Sequence, residues 1–363
     1  MANSSQAQKA GDNATQMQVG TLVYNAGITE ERAREIYREQ FQISKESYTK
    51  EAAQIADARA EELENAMIPR LKKIDDQFRF LADPAFQFLL RDAQRVAAST
   101  DKKEDYDLLS ELLARHIQSR DDRARKAGIT RAIKIVDEVD NSALCGLTIL
   151  FFMTNCYANG INISEILLTF NRILAALVHA DLPEGDSWIY HLDLLNAVIV
   201  QQFNASPKLF DIFSFRYDGI LCVGIKENSD EHQKALDILS ECGIDRAMLV
   251  PNELLDGYMR LRFVKKSDID TTVFLRNNIP RIDNKPCADA CKRVWNLYSQ
   301  DNRLKNMLMD NFHRRCDGFD TLKKIRSWLD KIPNYPKITE VGYALARSNA
   351  MRCCPNLKTL FEK

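Results

Sequence analysis

The chain has 363 residues, enough for two or three domains, and its 45% hydrophobic and 28% charged residues exclude a wholly disordered protein. Its 50 Lys and Arg residues and 51 Asp and Glu residues give a formal net charge of −1, so no global charge excess points to nucleic acid or another polyion. Only 13 residues are glycine, which argues against β-barrels, β-sandwiches and glycine-rich nucleotide-binding folds.

No segment predicts secretion or insertion into a membrane. The first 27 residues hold only Lys9 and Asp12 as charged side chains, without the apolar core of a signal peptide. The most apolar stretch, residues 143–153, is shorter than the ~20 residues of a spanning helix and predicts a buried helix instead. Nine cysteines, an odd number, favour a reducing compartment. We therefore expect a cytoplasmic protein with no cofactor and no membrane partner.

The N-terminal segment predicts a β-strand that joins copies of the chain. Residues 15–25 alternate between two faces, and no charge or proline occurs from residue 14 to residue 26. An exposed strand of this kind is an aggregation hazard, so we expect constitutive pairing within a closed oligomer; a cross-β fibril and an unstructured tail are the alternatives. The predicted assembly residues are Gln16, Met17, Gln18, Val19, Gly20, Leu22, Val23 and Tyr24.

Residues 28–203 predict a helical domain that begins with a long amphipathic helix. Thr29 is the expected N-cap, and no glycine occurs between residues 28 and 127. Pro69 is expected to break or kink the long helix. The helix carries an apolar stripe longer than one small core can cover, so part of it should meet a partner helix. The stripe comprises Tyr48, Ala52, Ile55, Leu63, Met67, Leu71, Ile74, Phe78 and Leu81.

Shorter amphipathic helices follow, and their short separators favour antiparallel neighbours in a bundle or stack. They are predicted at 84–98, 104–118, 121–139, 141–157, 163–181 and 186–203. Residues 204–275 predict a small α/β module that resembles a winged helix. It contains strands at 217–225 and 258–264, which are expected to pair, and a helix at 231–242 that ends at Gly243.

Residues 276–363 are again predicted to be helical, with helices at 286–310, at 318–331 and from Thr339 onward. The fold class is therefore mainly α, with a short N-terminal β segment and a small α/β module. The domain boundaries fall at 1–27, 28–203, 204–275 and 276–363.

The segment KAGDNATQMQVGTLVYNAGITEERAREIY, together with DPAFQFLL at 83–90 and DYDLLSELL at 105–113, resembles an uncharacterised bacterial family named from locus tags. That resemblance implies no activity. Residues 17–20, Met-Gln-Val-Gly, also resemble the RIP homotypic interaction motif, although methionine stands where that motif has Val or Ile. The second resemblance implies an assembly segment of the kind that precedes sensors and effectors in bacterial antiphage systems.

Two groups of residues offer alternative chemistry. Cys287, Cys291, His313 and Cys316 are zinc ligands by type, but their spacing fits helix packing better than a zinc knuckle. The densest titratable cluster could bind a divalent metal for a nuclease or hydrolase, or it could be the end of one helix and the start of the next. This cluster comprises His179, Asp181, Glu184, Asp186, His191 and Asp193.

The basic segments 120–131 and 313–326 are interpreted as solvated helix faces, so a nucleic-acid partner is not expected. The sequence also lacks the P-loop, dinucleotide-binding, zincin and nucleophile-elbow signatures. We therefore predict a non-enzymatic homo-oligomeric assembly or interaction protein, a sensor or adaptor in antiphage defence whose partner is itself or another protein. The contending class is the metal-dependent nuclease or hydrolase at 179–193.

Replacing Val19 by proline tests the assembly strand. Proline removes a ladder hydrogen-bond donor and is excluded from central strands. We expect V19P to lower the particle mass measured by light scattering while the helical circular dichroism is retained. An unchanged particle mass would show that this segment is not an assembly strand.

Overall fold

The computed structural model describes residues 28–45, 49–119, 122–201, 207–276, 279–280 and 283–357. All the predicted assembly residues between Gln16 and Tyr24 lie outside these ranges. Within them the fold is mainly helical, as predicted, and no helix is long and apolar enough to cross a membrane.

Fifteen α-helices lie in the described part of the chain. They are α1 (Glu30–Lys45), α2 (Lys50–Lys72), α3 (Pro84–Ser99), α4 (Lys103–Gln118), α5 (Arg123–Lys134), α6 (Asn141–Asn155), α7 (Ile163–Leu177), α8 (Ser187–Leu194), α9 (Leu209–Arg216), α10 (Asp230–Glu241), α11 (Asp268–Thr271), α12 (Lys285–Trp295), α13 (Asn302–Asp317), α14 (Asp320–Leu329) and α15 (Glu340–Cys353). Short strands are β1 (Val198–Ile199), β2 (Ile225–Lys226), β3 (Leu249–Pro251), β4 (Tyr258–Leu261), β5 (Leu275–Arg276), β6 (Ile279–Pro280) and β7 (Lys337–Ile338).

Side-chain caps explain several helix starts. Asp83 accepts a hydrogen bond from the Ala85 amide, with Pro84 in the first turn of α3. Thr339 caps α15 in the same way through the Gly342 amide, as the sequence predicted. These caps satisfy amide groups that have no partner within their own helix.

The long N-terminal helix differs from its prediction. The chain forms α1 and α2 separately, and Thr49 in extended conformation caps the second. Pro69 does not break α2, which continues to Lys72. The predicted stripe is not buried along its whole length: Ile55 is 55% exposed, and burial begins at Ala56, with Ile74 only half-buried.

Other helices are shorter than predicted. Helix α7 ends at Leu177 and α8 at Leu194, after which Asn196 takes a left-handed conformation with φ 56° and turns the chain into β1. The predicted helix 286–310 is two helices, α12 and α13. The chain therefore turns at more positions, and its helices are shorter, than its apolar periodicity indicated.

Helix α15 lies at the centre of the helical core, although it comes last in the chain. It packs against α4, α5 and α6, and its residues 341–350 are almost all buried. A Cβ atom at Gly342 would lie 2.0 Å from the Ala197 carbonyl oxygen, and one at Gly128 would lie 2.8 Å from the Glu340 backbone. Glycine at these positions lets α15 approach β1 and α5 closely.

A second hydrophobic cluster surrounds a three-stranded antiparallel sheet with strand order β2-β4-β3. Strand β2 pairs with β4 as predicted, and α10 ends before Gly243, which has φ 58°. The predicted strand at 217–225 is wrong except at Ile225. The residues before Ile225 form turns and bends. A Cβ atom at Gly224 would lie 2.2 Å from the Met259 carbonyl oxygen, so the backbone there comes too close to β4 for any residue with a side chain.

Tyr217 fixes the loop that follows α6. Its hydroxyl accepts a hydrogen bond from the Ala158 amide at 2.8 Å and donates one to the Ala158 carbonyl at 3.1 Å. Burial of the ring raises the pKa of the phenol to about 12, so it stays a donor at physiological pH. One side chain therefore pairs both backbone groups of a buried loop residue.

Tyr217→Phe should lower the free energy of unfolding by about 1–3 kcal/mol, because both Ala158 backbone groups lose their partner in a buried site. Urea denaturation measures the loss. Tyr190→Phe is the matched control, since the Tyr190 side chain is 53% exposed, and it should leave stability unchanged. Equal stability of Y217F and Y190F would contradict this account.

Candidate functional site

The predicted titratable cluster at 179–193 does not converge on one point. The His179 Nδ1 atom lies 3.0 Å from the Leu177 carbonyl oxygen, and burial lowers the pKa of this imidazole. The His191 Nε2 atom accepts a hydrogen bond from the Asp140 amide, and Asp193 accepts one from the Val200 amide. Both partners are backbone amides: the first joins α8 to the start of α6, and the second lies in the turn that leads into β1.

The acids between these histidines are exposed: Asp181, Glu184 and Asp186. The first two line a smaller cleft of about 660 Å³ beside Lys324 and Lys331, where the opposite charges are balanced. The described residues contain no group of three or more His, Cys, Asp or Glu side chains arranged to hold a metal.

The predicted zinc ligands are divided between the two hydrophobic clusters. Cys287 and Cys291 are buried in the cluster around the small sheet, whereas Cys316 is buried in the helical core with His313 on the same helix. Burial raises the pKa values of Cys291 and Cys316 to about 12. Both thiols therefore stay protonated and pack as small apolar groups.

A cleft of about 1150 Å³ opens between several helices of the core. Its walls come from the facing sides of α4, α5, α6 and α15, from the loop after α6 and from residues 264–268. This volume is at the upper end for a small-molecule site. The sequence did not indicate this cleft, because its lining residues are far apart in the chain.

Three arginines from separate helices line the cleft, and Arg115 lies within electrostatic reach of the other two: Arg115 is in the last turn of α4, Arg125 in the first turn of α5, and Arg347 in α15. Arg125 is exposed and lies 3.5 Å from Asp122. Arg115 is largely buried, and its Nε–H has no hydrogen-bond partner among the described residues. Burial, and next the charge of Arg347, lower the pKa of Arg115 to about 10. The charge of Glu111, one turn earlier in α4, offsets part of this effect, but Arg115 forms no ion pair with any residue that the structure describes.

Three carboxylates also line the cleft, but two of them are already engaged. Glu165 accepts a hydrogen bond from the Ile161 amide at 3.2 Å, and Asp268 accepts one from the Lys265 amide at 2.9 Å. Glu340 makes no side-chain hydrogen bond or ion pair in the residues that the structure describes. None of the three neutralises Arg115 by direct contact.

Aromatic rings form the rest of the lining. The Tyr157 ring contacts two cations: the Arg216 guanidinium at 5.0 Å and the Lys265 ammonium at 3.9 Å from its centroid. Tyr343 packs edge-to-face on Phe151, with ring centroids 5.8 Å apart. Flat, partly exposed rings beside guanidinium groups suit a ligand that has both an anionic group and a planar group.

The comparisons give a family and no function. The model of an uncharacterised family, named from locus tags and described only by the suffix "-like", matches residues 27–361. The chain belongs to that family. Neither the curated proteins nor the solved structures yield a match. The match begins after the segment that resembles the RIP homotypic interaction motif, and that motif is not shown.

Arg115→Met should raise the free energy of unfolding of the ligand-free protein by about 1–3 kcal/mol at neutral pH, because it removes a desolvated charge. The folded pKa of about 10 lies below the ordinary 12.5, so the destabilisation is complete below pH 10 and declines above it. The measurement is denaturation at pH 7.

Arg59→Met is the control for this change, since the Arg59 guanidinium donates to the Ala98 carbonyl at 2.8 Å. That variant should lose stability, because it leaves a carbonyl without its donor. A loss of stability in R115M as large as in R59M would mean that Arg115 is a structural residue.

Proposed function

We propose that this protein is a non-enzymatic sensor or interaction protein that binds an anionic, phosphate-bearing small molecule in the large cleft. One observation carries the proposal: the buried Arg115 Nε–H has no hydrogen-bond partner among the described residues, Arg115 forms no ion pair with any of them, and Arg347 and Arg125 lie within electrostatic reach. A buried charge without a partner costs stability, so its presence favours a functional role. A bound anion supplies the missing acceptor.

Phosphate fits these groups better than a carboxylate does. A guanidinium presents donors in a planar fork that pairs two oxygens at once, and a phosphate has enough oxygens to face Arg115, Arg125 and Arg347 together. A monocarboxylate satisfies only one of them in this way. The α4 and α15 backbones hold two of the arginines on regular helices, which limits reorganisation on binding.

The remaining parts of the proposal rest on the sequence. Self-assembly through residues 16–24, a winged-helix-like interaction module at 204–275, a cytoplasmic location and a role in antiphage defence are carried by the patterns and resemblances described above. The described N-terminal helices add exposed apolar side chains, Ile43 and Ile55, that a second copy would cover. No described feature favours the nuclease or hydrolase alternative.

Calorimetric titration with inorganic pyrophosphate tests the cleft. We expect the wild type to bind, and Arg115→Met to weaken binding at least about tenfold, because charge-assisted hydrogen bonds are lost. Arg314→Met removes the same charge from an exposed position whose guanidinium bonds Asn311, and it should bind like the wild type. Absence of binding to the wild type, or equal affinity for R115M, would refute the anion site.

A further inference from the structure

Three side chains of α15 point into the cleft from one face of the helix. Glu340, Tyr343 and Arg347 are at positions i, i+3 and i+7, and all three line the cleft. At a rise of about 1.5 Å per residue, the first and last of them are roughly 10 Å apart along the axis. The face therefore presents a carboxylate, an aromatic ring and a guanidinium in that order.

The neighbouring helices make the two ends of this face different. Gly128 of α5 contacts the Glu340 backbone, whereas Arg115 is coupled electrostatically to Arg347 and Arg125. The Arg347 end of the face therefore lies within electrostatic reach of Arg115, and Glu340 lies at the other end of the face. Between them Tyr343 is 37% exposed, and Phe151 supports its ring on one side.

We propose that the ligand is a nucleotide with a guanine-type base, bound with its phosphate on the arginines, its base against Tyr343 and the N–H edge of the base on Glu340. This inference rests on the proposed function, because it assumes that the arginine end binds phosphate. It adds the identity of the rest of the ligand.

Hydrogen-bond chemistry selects the base. An ionised carboxylate only accepts hydrogen bonds, and guanine presents two adjacent N–H donors on its Watson–Crick edge. Adenine presents one amino donor next to a ring nitrogen that is itself an acceptor, which would face the second carboxylate oxygen. Glu340 is available for this role because no described residue engages it, whereas Glu165 and Asp268 are bonded to backbone amides.

Length and stacking agree with a nucleotide. A base, a sugar and a phosphate in extended arrangement cover the roughly 10 Å between the two ends of the α15 face. Stacking of a base on an aromatic side chain contributes enough for its removal to weaken binding measurably. A simple phosphate or pyrophosphate reaches the arginines and leaves both Tyr343 and Glu340 without contact.

The test is calorimetric titration of the full chain with guanosine 5′-monophosphate, adenosine 5′-monophosphate and ribose 5-phosphate. We expect the guanine nucleotide to bind at least about tenfold more tightly than either of the others. Glu340→Gln should remove most of the preference for guanine over adenine, and Tyr343→Ala should weaken both nucleotides about tenfold. Neither variant should change the affinity for ribose 5-phosphate.

Glu51→Gln is the matched control, since Glu51 is an exposed acid in the first turn of α2 and lies outside the cleft. It should bind all three ligands like the wild type. If all three bind equally and E340Q changes nothing, the nucleotide assignment is wrong while the anion site stands. If none of them binds and pyrophosphate does not bind either, the proposed function itself fails. Tighter binding of the adenine nucleotide would also overturn the assignment to guanine.

Discussion

The close approach of α15 to its neighbours is the constraint on which the rest of the structure depends. A methyl group at Gly342 would overlap the Ala197 carbonyl oxygen, and one at Gly128 would overlap the Glu340 backbone. Because both positions are glycine, the last helix fits between helices from the first half of the chain. Asn349 then reaches Thr148 at 2.8 Å in the core. The same placement brings the exposed face of α15 to the wall of the cleft.

The arginine end of the cleft works against the stability that this packing provides. Desolvation of Arg115 costs most, and repulsion of Arg115 by Arg347 and by Arg125 adds to that cost. Helix packing over a large apolar core compensates for it, as the nearly complete burial of α15 residues 341–350 indicates. A site of this kind is preorganised for an anion at the expense of the ligand-free state.

Local features of this fold could be predicted from the sequence, and features set by distant contacts could not. Asp83-Pro84 and Thr339 indicated helix starts because a cap acts within a few residues. The apolar run at 217–225 resembled a strand, but the backbone there turns at Gly224 because the chain must pass the Met259 carbonyl.

The cleft shows this limit most clearly. Arg125 lies in a segment that looks like a solvated basic face, and Arg115 and Arg347 lie in unrelated helices. The one local signal was Arg347 within the otherwise small and apolar run ALARSNAM, where a charge needs a reason. Residue types singled out the cluster from His179 to Asp193 as the alternative site, but its histidines and Asp193 contact backbone groups and its other acids are exposed.

The position of the cleft indicates how an occupied site would affect the rest of the molecule. One wall is the helical core, whereas the other includes Val264 and Lys265, which follow Phe263 of the second hydrophobic cluster. Several contacts hold that second wall to the helices: the Gly219 amide donates a hydrogen bond to the Val264 carbonyl at 3.0 Å, the Asn311 amide group donates one to the Leu254 carbonyl at 2.7 Å, and the Lys265 ammonium lies over Tyr157. A ligand can shift a conformational equilibrium only through different affinities for its states. A ligand that contacts both walls adds its own interactions to those that already hold the small sheet against the helices, so it favours this arrangement over any in which the two walls separate.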